Sequence, residues 1–421
     1  MSERSARIIV AASTSRPVTD WATDLDHADP AYNRNAPAIW RDIVDSGCPV
    51  AHSDRYGGMW TPLTHELVSQ VAYDTENFTS RAVVVSRTSA EDFIEAPVGG
   101  APPITSDPPF HHHARRLLLP AFAPKVIEPW EEEVRELCRA RLDEALASAA
   151  ESGEGLIDAA TQYAQHIPAN VIGRMLGLPP EDDELFRGFV HDALEAIDIE
   201  TSERGANFER LEAYLDVQIV EHLENPRDDL ISYLLNVQLF DQPLSPRHVR
   251  GSIALLLIAG IDTTWSAIGS SLWHLATHPE DRRRLVAEPD LIPVAIEEFL
   301  RAFAPVTMAR LVAKDHDFHG CPMEVDDWVL LPFPAANRDP AVFDRADEVV
   351  IDRLENRHAA FGLGIHRCLG SNLARLELCV AVEEFLGRIP DFELADPTGD
   401  GVVWSVGQIR GPRALPFRIQ P

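Results

Sequence analysis

Beyond residue 110 the apolar side chains recur mostly at helical spacing, interleaved with charge. The pattern holds over 129–148, 156–176 and 180–223, with few breakers, and predicts helices there. Ser245-Pro246 then reads as an N-cap followed by proline in the first turn. The apolar run behind it is unbroken to Thr277, where His278-Pro279 ends the helix. At 1.5 Å per residue such a helix is roughly 48 Å long, enough to cross a domain. Two more helices are expected over 289–303 and 371–387. Strand-like pieces are short and lie outside the helices: 58–62, 315–325 folded at Gly320, 328–331, and a terminal hairpin over 402–419. A mainly α body with small β-sheets follows. The Gly/Pro-rich stretch 97–109 is too short for an interdomain linker, so 1–421 is expected to form a single domain, with residues 1–30 loosely ordered at its start.

The chemistry concentrates around one cysteine. Cys48, Cys138, Cys321, Cys368 and Cys379 are widely spread, and no pair has zinc-ligand or redox spacing. Cys138 and Cys379 fall inside helical patterns and suit the ordinary role of a small buried apolar residue. Cys368 does not. It lies in Phe361-Gly-Leu-Gly-Ile-His-Arg-Cys368-Leu-Gly370, whose glycines permit tight turns, and a helical pattern starts immediately afterwards. Free N–H groups and partial positive charge at a helix start favour a thiolate over a thiol. A thiolate behind haem iron pushes electron density onto it and assists O–O cleavage.

These ten residues resemble the haem-ligand signature of the cytochromes P450, F-x-x-G-x-x-x-C-x-G, at every fixed position. The resemblance implies the cytochrome P450 fold, with a long central helix over haem b and Cys368 as the iron ligand. It also implies that Phe361 packs near the sulfur face, that Gly364 lets the loop approach the porphyrin, and that Gly370 completes the cofactor loop. Three further segments extend it. Ala259-Gly-Ile-Asp-Thr-Thr264 sits at the centre of the long helix, although glycine costs about 1 kcal/mol there and Asp and Thr are mediocre helix formers. By resemblance Gly260 opens space beside the iron, and Asp262 and Thr263 form the acid–alcohol pair that relays protons to dioxygen. Glu298 and Arg301 stand three apart on one helix face. They resemble the E-x-x-R motif and, with Arg353, would form a structural network. Ala336-Asn-Arg-Asp-Pro340 resembles the segment between those motifs in soluble bacterial members of the family.

Upstream, Ser106-Asp-Pro-Pro-Phe-His-His-His-Ala-Arg-Arg116 resembles D-P-P-E-H-x-x-x-R-R, departing from it at Phe110 and His113. Carried over, His111, Arg115, Arg310 and His366 hold the haem propionates. Ile104, Leu255, Ile258, Ala259, Val306, Thr307 and Ile409 line a substrate pocket, apolar and without a charged anchor, so a small neutral hydrophobic substrate (terpenoid, aromatic or aliphatic) is expected. The resemblance runs from about Asp107 to Pro416.

Charge and hydropathy narrow the partners. A balance of 67 acidic against 37 basic residues, formally −30, argues against nucleic acid. The longest apolar run, 253–261, is far below the ~20 residues of a membrane span, and the start of the chain lacks a secretory h-region. No membrane partner and a cytoplasmic location are therefore expected. Neither a dinucleotide-binding glycine loop nor a cysteine cluster occurs, so electrons are expected from a separate ferredoxin or flavodoxin with its reductase. Arg115, Arg116 and Arg367 would offer such an acidic donor a local positive patch. The expected activity is a haem-thiolate monooxygenase that hydroxylates or dealkylates its substrate. A peroxide-driven peroxygenase of the same fold and a non-catalytic haem sensor are the alternatives, and neither requires the Asp262-Thr263 pair.

Overall fold

The longest helix, Pro246–Thr277, starts and stops where the chemistry of its ends dictates. Ser245 Oγ accepts from the His248 N–H at 3.2 Å, and the helix ends at His278, before Pro279. The helix is long and apolar enough to cross a membrane, but it runs through the middle of the protein with most of that surface buried. Helices His166–Leu176, Asp183–Leu194, Thr201–Glu224 and Ser371–Arg388 pack around it. The computed structural model describes residues 17–27, 29–47, 49–85, 99–194, 201–405 and 407–419. Of the first 30 residues, expected to be loosely ordered, 1–16 lie outside the described residues.

A five-stranded sheet lies beside this helical body, in the order Val50–Ser53, Met59–Pro62, Trp328–Pro332, Thr307–Val312, Phe78–Thr79. All its pairs are antiparallel except the one between Met59–Pro62 and Trp328–Pro332. The mainly α architecture with small sheets is thus as the pattern predicts.

The differences have local causes. Residues 156–158, read as the start of a helix, form a strand because Phe417 pairs with Ile157 and gives these residues a ladder. The helix begins only at His166, after a wide turn over Ala160–Ala164. The pattern over 180–223 resolves into two helices, Asp183–Leu194 and Thr201–Glu224. Thr307–Val312 shows no alternation because five of its six residues are buried, which removes the period-two signal. Helices Pro30–Asp45 and His65–Tyr73 lie in the portion of the chain where few motifs mark the pattern.

One buried carboxyl makes the core sensitive to pH. Glu377, on the helix Ser371–Arg388, is 2% exposed, and its Oε2 has no hydrogen-bond partner among the described residues. Burial raises its pKa from 4.5 to about 8. The native state thus binds this proton more tightly than the unfolded chain does. The associated stability is full below about pH 4.5 and lost as pH rises toward 8. A shift of that size is worth on the order of 5 kcal/mol. Glu377→Gln should therefore be increasingly more stable than the wild type from pH 5 to pH 8 in urea unfolding. A stability difference independent of pH would refute this account.

Candidate functional site

The loop around Cys368 is shaped by glycine at one point of close approach. Gly364 has φ +69°, and a Cβ there would lie 2.2 Å from the Ala72 carbonyl oxygen, at the end of the helix His65–Tyr73. This glycine, expected to let the loop approach a cofactor, is in any case required by the neighbouring helix. Gly364→Ala should displace the loop, lowering both the unfolding midpoint and haem content; unchanged haem content would contradict that. Within the loop the Cys368 N–H donates to the Phe361 carbonyl at 2.7 Å, and the Phe361 ring lies under the Arg375 guanidinium, 4.4 Å from its centroid. Gly370 caps the helix Ser371–Arg388 and donates its N–H to the Cys368 sulfur.

Cys368 is densely surrounded by protein yet accessible, so it opens onto a cleft. Burial pushes its thiol up, and the Gly370 N–H with Arg115, Arg367 and Arg375 only partly opposes this. Burial thus works against the thiolate that the helix start, the Gly370 N–H and the three guanidinium groups favour.

Along the central helix, the residues between Gly251 and Leu272 that are not buried are Gly251, Ala254, Leu255, Ile258, Ala259, Gly260 and Thr263. Their spacing of three and four places them along one face. Thr263 Oγ1 donates to the Ala259 carbonyl at 2.8 Å. Asp262, one residue earlier, is fully buried and forms an ion pair with Arg413 from the terminal hairpin. At Gly260 a Cβ would lie 3.1 Å from Ile172 Cγ1, so the glycine also admits the helix His166–Leu176.

Four basic side chains from three segments gather near the cysteine. His111 and His366 have ring centroids 4.4 Å apart, and both sit within the electrostatic reach of Arg310 and Arg115. His366 also hydrogen-bonds Ser80 Oγ at 2.9 Å. Arg115 donates to the Arg367 carbonyl beside Cys368. Burial lowers His111 to about 4 and holds His366 well below the usual histidine range, so both rings are neutral and only the arginines carry charge. Burial also lowers Arg310 to about 10, against Asp107, which raises it. The Arg310 guanidinium bonds only the Ala309 carbonyl among the described residues, and neither ring nitrogen of buried His111 has a partner. Buried donors of this kind call for acceptors. Together with an accessible sulfur and an apolar helix face, they fit a flat macrocycle bearing iron and two carboxylates, as haem b does. Arg115, Arg310, His111 and His366 would hold the carboxylates, and Cys368 the iron.

The E-x-x-R pair belongs to a closed network. Glu298 and Arg301 are both fully buried and joined through two contacts of 2.8 Å. Arg353 Nε reaches Glu298 at 2.9 Å, and the Val350 N–H and Asn356 side chain complete the carboxylate. Arg301 also donates to the carbonyls of Asn337, Ala346 and Glu348.

Among the expected pocket residues, Ile104, Leu255, Ile258, Ala259 and Val306 are accessible, and Val306 bridges Ile409. Thr307 and Ile409 are buried, with Thr307 hydrogen-bonded to Tyr32. The two departures upstream are aromatic contacts: Phe110 lies against His248 at 5.6 Å, and His113 against Phe240 at 4.7 Å. Ser80, Asp107 and Arg413 were not singled out by sequence. Asp107 lies inside the upstream motif, but no local signal links Arg413 to Asp262, 151 residues away.

The model of the family described as Cytochrome P450 matches residues 165–400. Cytochrome P450 CYP107DY1 of Priestia megaterium is 30% identical, covering 93% of this chain and 98% of its own. A vitamin D3 dihydroxylase of Streptomyces griseolus is 32% identical, covering 95% of this chain and 99% of its own. Among solved structures, that of CYP109E1 from Bacillus megaterium in complex with testosterone superposes with a TM-score of 0.83 at 27% identity, covering 93% of this chain and all of that one.

Proposed function

The chain belongs to the cytochrome P450 family of haem b monooxygenases, and from that premise we propose that it hydroxylates or dealkylates a hydrophobic, ring-bearing substrate with electrons from a separate ferredoxin or flavodoxin. The observation that carries this reading is the accessible helix face ending at Thr263, taken together with a cluster suited to haem. In a hydroxylation one substrate C–H, O₂, two electrons and two protons yield one alcohol and one water. Haem, when bound behind Cys368, supplies the activation of dioxygen. The protein's own residues supply the rest. Thr263 presents a hydroxyl at the cleft, Asp262 is the carboxyl one residue earlier, and together they move protons. Leu255, Ile258, Ala259, Ile104 and Val306 exclude water and hold an apolar molecule. Glu298, Arg301 and Arg353 keep the cofactor loop's surroundings rigid.

Two relatives support the substrate class, one named for vitamin D3 and one solved with testosterone. Electrons arrive on the cysteine side, where Arg115, Arg116 and Arg367 favour an acidic donor. Cytoplasmic residence accords with the bacterial relatives. The presence of Asp262 and Thr263 favours oxygen-driven turnover over the peroxygenase and sensor alternatives.

The test is a low-spin to high-spin titration against a secosteroid, a steroid, a monoterpene, an aromatic and a fatty acid. The polycyclic ligands should bind more tightly than the fatty acid, and the reverse order would overturn the substrate class. With ferredoxin supplying electrons, Thr263→Ala should divert electrons from product to peroxide, lowering product per electron roughly tenfold. Unchanged coupling would remove Thr263 from the relay.

A further inference from the structure

We propose that Arg413 is the positioning residue for Asp262 in proton delivery, which rests on the reading of Asp262 and Thr263 as the relay. The terminal hairpin delivers it. Strands Val403–Trp404 and Pro412–Ala414 pair, and Ser405 ties the turn between them. Its hydroxyl donates to the Ile409 carbonyl at 2.6 Å and accepts from the Gly411 N–H at 2.9 Å. The hairpin then lies directly on the central helix. A Cβ on Gly411 would come within 2.3 Å of Ser266, and one on Gly269 within 2.6 Å of Pro412. Two glycines facing each other's segment thus allow a backbone approach that neither side would otherwise permit.

That approach sets Arg413 over the helix. Its guanidinium ion-pairs with Asp262, donates to Ser266 Oγ at 3.1 Å, and lies 4.2 Å from the Trp265 ring centroid. Three contacts within about one helical turn leave the side chain little freedom. Adjacent helix residues diverge by about 100°. Buried Asp262 therefore faces the hairpin, while Thr263 faces the cleft. Arg413 fixes the resting position from which the carboxyl group turns toward the threonine. In each transfer the resting Asp262 carboxylate first accepts a proton from solvent and then passes it toward the Thr263 hydroxyl, which returns it to the ion-paired carboxylate. Arg413 keeps its own protons throughout.

Arg413→Lys preserves the charge but loses the planar fork that spans Asp262 and Ser266. In holoenzyme with an electron donor, it should lower product per electron roughly tenfold, enlarge the solvent isotope effect and shift the pH profile. The substrate dissociation constant should stay within about twofold. A readout independent of turnover is thermal unfolding: Arg413→Gln should lower the midpoint, and Asp262→Asn combined with Arg413→Gln should restore much of it. Coupling, isotope effect and pH profile that stay at wild-type values in Arg413→Lys, while Asp262→Asn alters them, would overturn the positioning role and leave the relay standing. If Asp262→Asn itself changes none of them, the relay reading fails. A double variant as unstable as the sum of its singles would also refute the pairing.

Discussion

Arg301→Met is expected to destabilise the protein by about 3–5 kcal/mol, because it removes one partner from a fully buried charge network. The methionine conserves apolar volume but leaves the Asn337, Ala346 and Glu348 carbonyls without the donors they have in the wild type. Glu298 keeps Arg353, the Val350 N–H and Asn356, so the carboxylate is not abandoned. The loss therefore falls chiefly on the segment 337–348, whose backbone is organised around the guanidinium. Lysine should not rescue it, since one ammonium cannot replace a fork that reaches a carboxylate and three carbonyls. The effect should also persist in high salt, because both groups are shielded from screening ions. Equilibrium urea unfolding checks this directly. A change below about 1 kcal/mol would mean that the network is far weaker than its burial suggests.

How much of this was legible depends on the range of the interactions involved. The central helix could be read to its ends because Ser245, Pro246 and His278-Pro279 act locally. Glu298 and Arg301 could be paired because one helix turn separates them. Strand 156–158 could not be recognised, because its partner lies about 260 residues away and the local pattern suits a helix equally well. The same limit applies to the glycines. Sequence marked Gly260 and Gly364 as positions needing a reason, but the close approaches of Ile172 and Ala72 to them are named by no local pattern. Local pattern likewise says nothing of the titration of two propionate candidates: burial first, and cationic neighbours second, lower the pKa values of His111 and His366. Arg413 was invisible for a related reason, since its position depends on a backbone approach between Gly411 and the central helix.

Cys368→Ser is expected to reduce oxygenation at least about a thousandfold, equivalent to ~4 kcal/mol of transition-state stabilisation, while the protein continues to fold. Serine is nearly isosteric, and its oxygen can accept the Gly370 N–H that now meets the sulfur. The loop's other supports are backbone contacts that the substitution leaves intact, notably Cys368 N–H to Phe361 O and the packing of Gly364 on Ala72. Unfolding of the haem-free protein should therefore change little. What is lost is the soft anionic donor. A thiol can give up its proton to a metal with help from Gly370, Arg115, Arg367 and Arg375, whereas an alcohol starts several units further from ionisation and is a poorer partner for iron. The ferrous–carbonyl spectrum should lose the Soret band characteristic of thiolate ligation, and product formation should fall with it. Retention of that band in folded, haem-loaded Cys368→Ser would show that the iron takes its sulfur elsewhere. Among the other described cysteines, burial raises both Cys138 and Cys379 to about 12, which makes either a poor thiolate donor. The glycine-framed loop at Cys368 combines an accessible sulfur, an N–H donor and three nearby guanidinium groups, and this substitution tests that combination directly.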